Sequence, residues 1–234
     1  MDKVIKIVQY GLSPAIQLDG RIFVLSIENQ AYLLDTLSML KNQSKGIEGS
    51  FGLLQADKVL SFENHFVMIT DFTEICFDTK AINQLLTKKF SDFLNSSTQN
   101  DLPTISELER LIYNLAESFR TSSGLNIEYE STMSGQAIAK LCGLKIQNSE
   151  CTILCKLCEY LDLLCSLKPI KVLALCFAKQ VLESGQIQQL YKHCVDKEVQ
   201  LLLIEAKDDT LLMECECRLV VDKDLCVFTR GYSE

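Results

Sequence analysis

The sequence predicts an α/β protein whose core comes in two pieces, residues 1–74 and 166–234, interrupted by a helical subdomain over 75–165. Three observations predict it. Apolar runs at 21–27, 66–70, 170–177 and 199–205 have the length and continuity of strands buried on both faces. Helical periods with short connections separate the later runs, and strand–helix–strand in that form is the pattern of a right-handed crossover in a parallel sheet. Between 75 and 165 the chain shows helical periods almost alone.

Each element has a local reason. RIFVLSI, 21–27, follows the turn dipeptide Asp19-Gly20 and reads as a buried strand. Asn29 or Glu28 then opens an amphipathic helix to about Lys41, with Leu33, Leu34, Leu37, Met39 and Leu40 as its apolar positions. Short strands are expected at 51–54 and 60–62, and a stronger one at FVMIT, 66–70. Residues 79–94 repeat Ile82, Leu85, Leu86, Phe90 and Phe93 at helical spacing. After the polar break 95–101, Thr104 or Ser106 ahead of Glu107 suggests a capping box, and a helix runs to about Arg120. An extended segment is expected at 125–130, a short helix at 134–141 closed by Gly143, and a long helix at 150–167 stopped before Pro169. The strand 170–177, the helix 183–194 and the strand 199–205 follow, and 217–221 pairs with 225–229 across Asp222-Lys223-Asp224.

Composition narrows the class. The chain has 234 residues with 47% hydrophobic and 23% charged, and 10 Gly with 3 Pro, which excludes disordered and collagen-like chains. No apolar run reaches the roughly 18 residues of a membrane span, and residues 1–10 lack a signal-peptide core, so a soluble, cytoplasmic protein is expected. Eleven cysteines without a secretion signal are expected to be reduced, packing as small apolar side chains rather than holding metal. The net charge of −8 removes any bulk basic footprint for nucleic acid. Local strips run the other way: six lysines between 136 and 180 stand against Glu150, Glu159 and Asp162, and Lys80, Lys88 and Lys89 stand against Asp92 alone. Such strips could hold DNA if assembly brought them together, or be ordinary solvated helix faces.

Motifs for chemistry are sparse. The turn after 21–27 is Glu28-Asn29-Gln30-Ala31, which has no glycine-rich phosphate loop and puts an acid where phosphate would sit. His65 and His193 have no readable nucleophile partner, and GxSxG is absent. Glu205-Ala206-Lys207 at a strand end, with Asp196 upstream, imitates the carboxylate–x–lysine set of divalent-metal nucleases. Asn126, Glu128 and Glu130 alternate toward one side if extended, and with Glu117 they offer the hard oxygens that Ca²⁺ takes.

Against this background the run Val67-Met68-Ile69-Thr70-Asp71-Phe72, then Phe77-Asp78 and the helix after it, resembles the subtype II-A CRISPR-associated adaptation proteins, the ring-forming Csn-type family. Leu125-Asn126-Ile127-Glu128-Tyr129-Glu130 with Gly143-Leu144-Lys145-Ile146 is similar to that family's acidic segment and following turn, and Lys168-Pro169-Ile170-Lys171 through Ile204-Glu205 to its strand–helix–strand. The resemblance covers about residues 33–228. It implies a P-loop-like α/β core without a nucleotide motif, helical legs, and a homotetrameric ring that threads double-stranded DNA ends through a basic hole. It further implies spacer acquisition in antiviral defence without catalysis, alongside the CRISPR integrase proteins and the effector nuclease, and Ca²⁺ near the legs held by Glu128, Glu130, Glu117 and Asn126. Asn126 departs from the family, which tends to carry a carboxylate there. Candidate DNA contacts are Lys88 and Lys89, then Arg110, Arg120, Lys140 and Lys156. The alternatives are a divalent-metal nuclease using Glu205 and Lys207, and a structural protein-interaction module.

Overall fold

A computed structural model of the chain describes residues 4–9, 12–56, 58–96, 102–124, 126, 128, 133–147, 152–208 and 215–230. It divides into two compact units, 1–75 with 150–234, and 76–149.

The larger unit opens with a hairpin that the sequence reading assigned to no element, β1 (Ile5–Gln9) and β2 (Leu12–Leu18). It continues with β3 (Ile22–Ile27), α1 (Gln30–Gln43), β4 (Phe51–Gln55), β5 (Lys58–Leu60), the single turn α2 (Phe62–His65) and β6 (Phe66–Ile69). The strand expected over 60–62 therefore ends at Leu60, because Phe62 opens a helical turn. The smaller unit holds α3 (Lys80–Ser96), α4 (Leu102–Ser123) and α5 (Gly135–Cys142). The chain then returns through α6 (Ile153–Leu167), β7 (Val172–Cys176), the turn α7 (Ala178–Val181), α8 (Ser184–Asp196), β8 (Gln200–Glu205), β9 (Glu216–Val221) and β10 (Val227–Arg230).

Two sheets result. The main one has the order β10-β9-β3-β8-β7-β6, parallel from β9 to β6, with β10 antiparallel at its edge. The other is antiparallel, β2-β1-β4-β5. Every residue of β3 and of β7 is buried, as a strand covered on both faces requires. Alternate side chains face two different cores. Phe23, Leu25 and Ile204 pack with Ile5, Ile7 and Leu53 of the antiparallel sheet and with Leu33 and Leu40 of α1. Ile22, Val24 and Leu203 pack with Leu157, Leu161 and Leu164 of α6 and with Ile187 and Leu190 of α8.

That second core moves a boundary. A helical subdomain reaching to residue 165 was the expectation, but α6 lies in the α/β unit, because its leucines cover the sheet. The capping box expected at Thr104 or Ser106 is also absent, since α4 starts earlier, at Leu102, with Pro103 in its first turn where no amide hydrogen is needed. Other helix ends are capped by nearby residues, and α6 begins at Ile153 after Thr152 rather than at the expected 150. The side chains of Asn29, Ser134 and Thr152 each accept a bond from the first turn of α1, α5 and α6, and Gly143 takes the left-handed conformation that ends α5. In the smaller unit α3 packs on α5 around buried Ile82, Ile138 and Ala139. Gly135 lies so close to α3 that a Cβ there would sit 2.6 Å from Ser91 Oγ.

Leu202 is fully buried on β8 in the first core. Leu202→Ala removes that packing and leaves a cavity, so unfolding free energy should fall by about 2–5 kcal/mol. Denaturant titration should show a lower midpoint with an unchanged slope.

Candidate functional site

In open parallel sheets ligands favour the crevice at the carboxyl ends of the strands. Here that edge is formed by β3, β8 and the turn after β9, which frame a cleft of about 410 Å³ lined by Glu28, Gln30, Leu33, Lys207 and Lys223, among others. The amino end of α1, which would face a phosphate, is closed by the chain itself. Asn29 Oδ1 accepts from the Tyr32 amide at 3.0 Å, Asn29 Nδ2 donates to the Lys223 carbonyl at 2.9 Å, and the Glu28 amide donates to Val221 O at 2.8 Å. These bonds sew the β3–α1 turn to the β9–β10 turn. They also leave the Glu28 backbone no freedom to wrap an anion, as a glycine-rich loop would.

Behind the cleft lies a network of charges that sequence reasoning missed. Lys179 Nζ meets Glu216 at 2.7 Å, with side chains 8% and 0% exposed. Arg218 reaches Asp208 Oδ1 at 2.5 Å and Glu216 at 3.5 Å, and Arg230 holds the other Asp208 oxygen at 2.8 Å. Glu205 is buried beside them, accepting the Lys179 backbone N–H at 3.0 Å. Among the described residues, three cations stand against three anions. Burial pushes the Glu205 carboxyl above its ordinary value, and the Lys179 amide and ammonium offset part of that rise. The one available signal was weak: charged residues at 216 and 218 interrupt an otherwise apolar strand, but their partners come from elements 10 to 37 residues away.

The nuclease constellation does not form. Asp196 ends α8 ahead of β8, whereas Glu205 is the last residue of β8. At about 3.3 Å per residue the two carboxylates stand at opposite ends of the strand. Glu205 is committed to Lys179, while Lys207 is exposed at the cleft.

Of the residues singled out for DNA, Lys88, Lys89 and Lys140 are exposed on α3 and α5 of the smaller unit. Consecutive helical residues project about 100° apart. Lys89 thus lies along the side of Ile82 and Leu86, and Lys88 points away from it. Arg110 and Arg120 each close a two-pronged bridge within α4, to Glu107 and Glu117 at 2.6 Å. The Arg110 guanidinium holds the Glu107 carboxyl below its ordinary value. Lys156 is half-buried on α6, in the other unit.

The residues named for calcium do not assemble among those described. Glu117 gives both carboxylate oxygens to Arg120 at 2.6 and 2.9 Å. Asn126 and Glu128 are exposed outside regular structure, and Glu130 lies outside the described residues, as does most of the extended segment expected at 125–130. Among the described residues no group of three His, Cys, Asp or Glu is placed to hold a metal. The cysteines divide by position. Cys176, Cys194 and Cys217 are buried, and burial pushes the Cys176 thiol up to about 12 and the Cys194 thiol up as well, so these behave as small apolar side chains. Cys76, Cys142, Cys155 and Cys226 are exposed and packing does not account for them, and Cys151 lies outside the described residues. Among the described residues no helix is long and apolar enough to cross a membrane.

The family model described as CRISPR-associated protein (Cas_Csn2) matches residues 43–225, most of the chain. No curated protein matches. Among solved structures, that of a bacterial Atm1-family ABC exporter with ATP bound has a TM-score of 0.42 and 11% identity. The alignment covers 95% of this chain and 37% of that one, so this chain spans well under half of the exporter's length.

Two substitutions probe the buried charges. Lys179→Met leaves Glu216 without its ammonium partner and should lower stability by about 3–5 kcal/mol in denaturant titration. Glu205→Gln keeps an oxygen for the Lys179 amide but removes a carboxylate that burial holds above its unfolded value. The raised pKa means the folded state takes up its proton first as pH falls, so the cost of ionisation exists above the folded pKa and fades below it. The variant should therefore gain its largest melting advantage at neutral pH, and the two proteins should converge toward acid.

Proposed function

Since the chain belongs to the CRISPR-associated Cas_Csn2 family, we propose that it is a non-enzymatic protein that binds the ends of double-stranded DNA and supports spacer acquisition in antiviral defence. The family match carries this reading. The α/β unit is then a P-loop-like head whose phosphate loop is replaced by the capped Glu28-Asn29 turn, and the smaller unit is the part that meets DNA. Charge distribution supports that assignment. Residues 76–149 hold seven basic and eight acidic residues, net −1, which leaves −7 for the rest of the chain. A monomer of net −8 repels DNA, so binding requires a closed homotetramer that gathers Lys88, Lys89 and Lys140 on one concave surface. The integrase proteins and the effector nuclease are the partners, and the cytoplasm the compartment. Calcium belongs to the same proposal through Glu128, Glu130, Glu117 and Asn126, with Glu117 having to leave Arg120 to join it.

Titration of linear duplex over a range of salt tests the reading. Each phosphate contact contributes about −0.9 to the log–log slope. Lys88→Ala with Lys89→Ala should weaken binding equally for all sequences and flatten the slope by about two units per engaged protomer. Wild-type affinity and slope in that double variant would remove these lysines from the DNA path. No shift of linear DNA at low salt, or cleavage with Mg²⁺ or Mn²⁺, would overturn the proposal itself.

Calcium is checked apart from DNA. Binding to the native state should raise the melting temperature in millimolar Ca²⁺ relative to EDTA, equivalent to about 2.7 kcal/mol at a hundredfold excess over Kd. Identical melting in both would remove the ion from the proposal.

A further inference from the structure

Cys155-Lys156-Leu157-Cys158 places two thiols three residues apart on the first two turns of α6. Residues so spaced share one side of a helix, with Cβ atoms about 5–6 Å apart. Leu157, Leu161 and Leu164 carry the packing of α6 on the sheet, which leaves Cys155 exposed and Cys158 half-buried beside that core. The two thiols are close enough to interact: burial first, then the charges of Asp162 and Cys155, push the Cys158 thiol above its ordinary value. The backbone beneath them is regular. Thr152 Oγ1 accepts from the Cys155 amide at 3.3 Å, and Thr152 O accepts from the Lys156 amide at 2.9 Å. Cys76, Cys142 and Cys226 are exposed as well, but none has a second cysteine within four residues.

That regularity decides what the pair can do. A disulfide draws its Cβ atoms to about 3.5–4.5 Å, so joining these two would break the helix at its capped end. Structural zinc takes four ligands. Among the described residues no third thiol, imidazole or carboxylate completes a metal-holding group with them. Cys165 lies seven residues beyond Cys158, about 10.5 Å further along the axis. The imidazole of His193 on α8 is held by Asp162 at 2.9 Å. One soft ion set in line between two sulfurs has no such demands. With a metal–sulfur bond of about 2.3 Å the sulfurs stand about 4.6 Å apart, which thiols on Cβ atoms about 5–6 Å apart reach in ordinary rotamers. We propose that Cys155 and Cys158 form a two-coordinate site for copper(I), the univalent ion that soft thiolate ligands select. On binding, two S–H bonds give way to two S–Cu bonds, both protons pass to solvent, and no electron moves. Two thiolates around a univalent ion leave one negative charge, placed at the amino end of α6 where the helix dipole favours it. Lys156 adds positive charge between the ligands, against Glu159 and Asp162 one turn further on. Bridging residues one turn apart also ties down the start of α6, so the bound ion stabilises the folded chain.

The experiment is an anaerobic titration of the reduced full chain with copper(I) supplied as its bathocuproine disulfonate complex, whose loss of colour reads transfer of the ion. Wild type should take up one equivalent, melt at a higher temperature with it, and show two sulfur neighbours by X-ray absorption. Cys155→Ser and Cys158→Ser should each weaken uptake by about a hundredfold or more, since removing even an outer partner of a metal site costs ten- to a hundredfold. Circular dichroism checks that each variant is folded, and Cys158→Ala replaces the serine variant if a hydroxyl disturbs the half-buried position. Cys142→Ser and Cys226→Ser, at exposed cysteines outside the pair, should bind as wild type does. No uptake by wild type, or undiminished uptake by a folded variant at 155 or 158, would overturn the site. Three sulfur neighbours, or displacement of the ion by excess Zn²⁺, would overturn its two-coordinate form.

Discussion

A parallel sheet has no solvent face, and that constraint organises the larger unit. Strand β3 sits between β8 and β9 with all six residues buried, so something apolar must lie on each side of it. Helix α1 and the small antiparallel sheet cover one side, and α6 and α8 cover the other. The amino-terminal hairpin is therefore part of the core: Ile5, Ile7, Ile16 and Leu18 close a face that the helices alone leave open. The same demand draws α6 into this unit, although it follows a long helical stretch in sequence.

The carboxyl edge of the sheet has been closed by a different means. Where a nucleotide-binding relative of this architecture would keep a flexible glycine-rich turn and a free helix end, this chain caps α1 with Asn29 and ties the turn to Lys223. Behind it, among the described residues, Lys179, Arg218 and Arg230 pair with Glu205, Glu216 and Asp208. Buried ion pairs of this kind add little net stability over apolar packing, but removing one member is costly. The network thus fixes one arrangement of the edge more than it strengthens the fold.

The smaller unit obeys the opposite economy. Among its described residues few side chains are buried, α3 and α5 pack through Ile82, Ile138 and Ala139, and Leu108, Leu111 and Leu115 of α4 are exposed. The cationic side chains Lys88, Lys89 and Lys140 are exposed on its other helices, α3 and α5.

How much of this was legible depended on range. The buried strands and most helices were readable because apolar period and end signals such as Asn29 and Gly143 act within a few residues, whereas Thr152, the cap of α6, went unread and that helix was expected from 150. The missing phosphate loop was equally plain, since a glycine pattern is local and Glu28 stands in its place. The start of α4 and the amino-terminal hairpin escaped, the first because Thr104 and Ser106 cap as well as they continue, the second because short strands declare themselves only through partners such as β4. Of the candidate site, the exposed lysines were foreseen as residue types. The opposite placement of Asp196 and Glu205 was not, because it follows from the direction of β8. By itself the sequence determined which segments must be buried and that no glycine-rich loop follows β3, because both are properties of neighbouring residues. Only the tertiary structure decided that Lys179 meets Glu216, because that outcome depends on which elements the sheet order brings together.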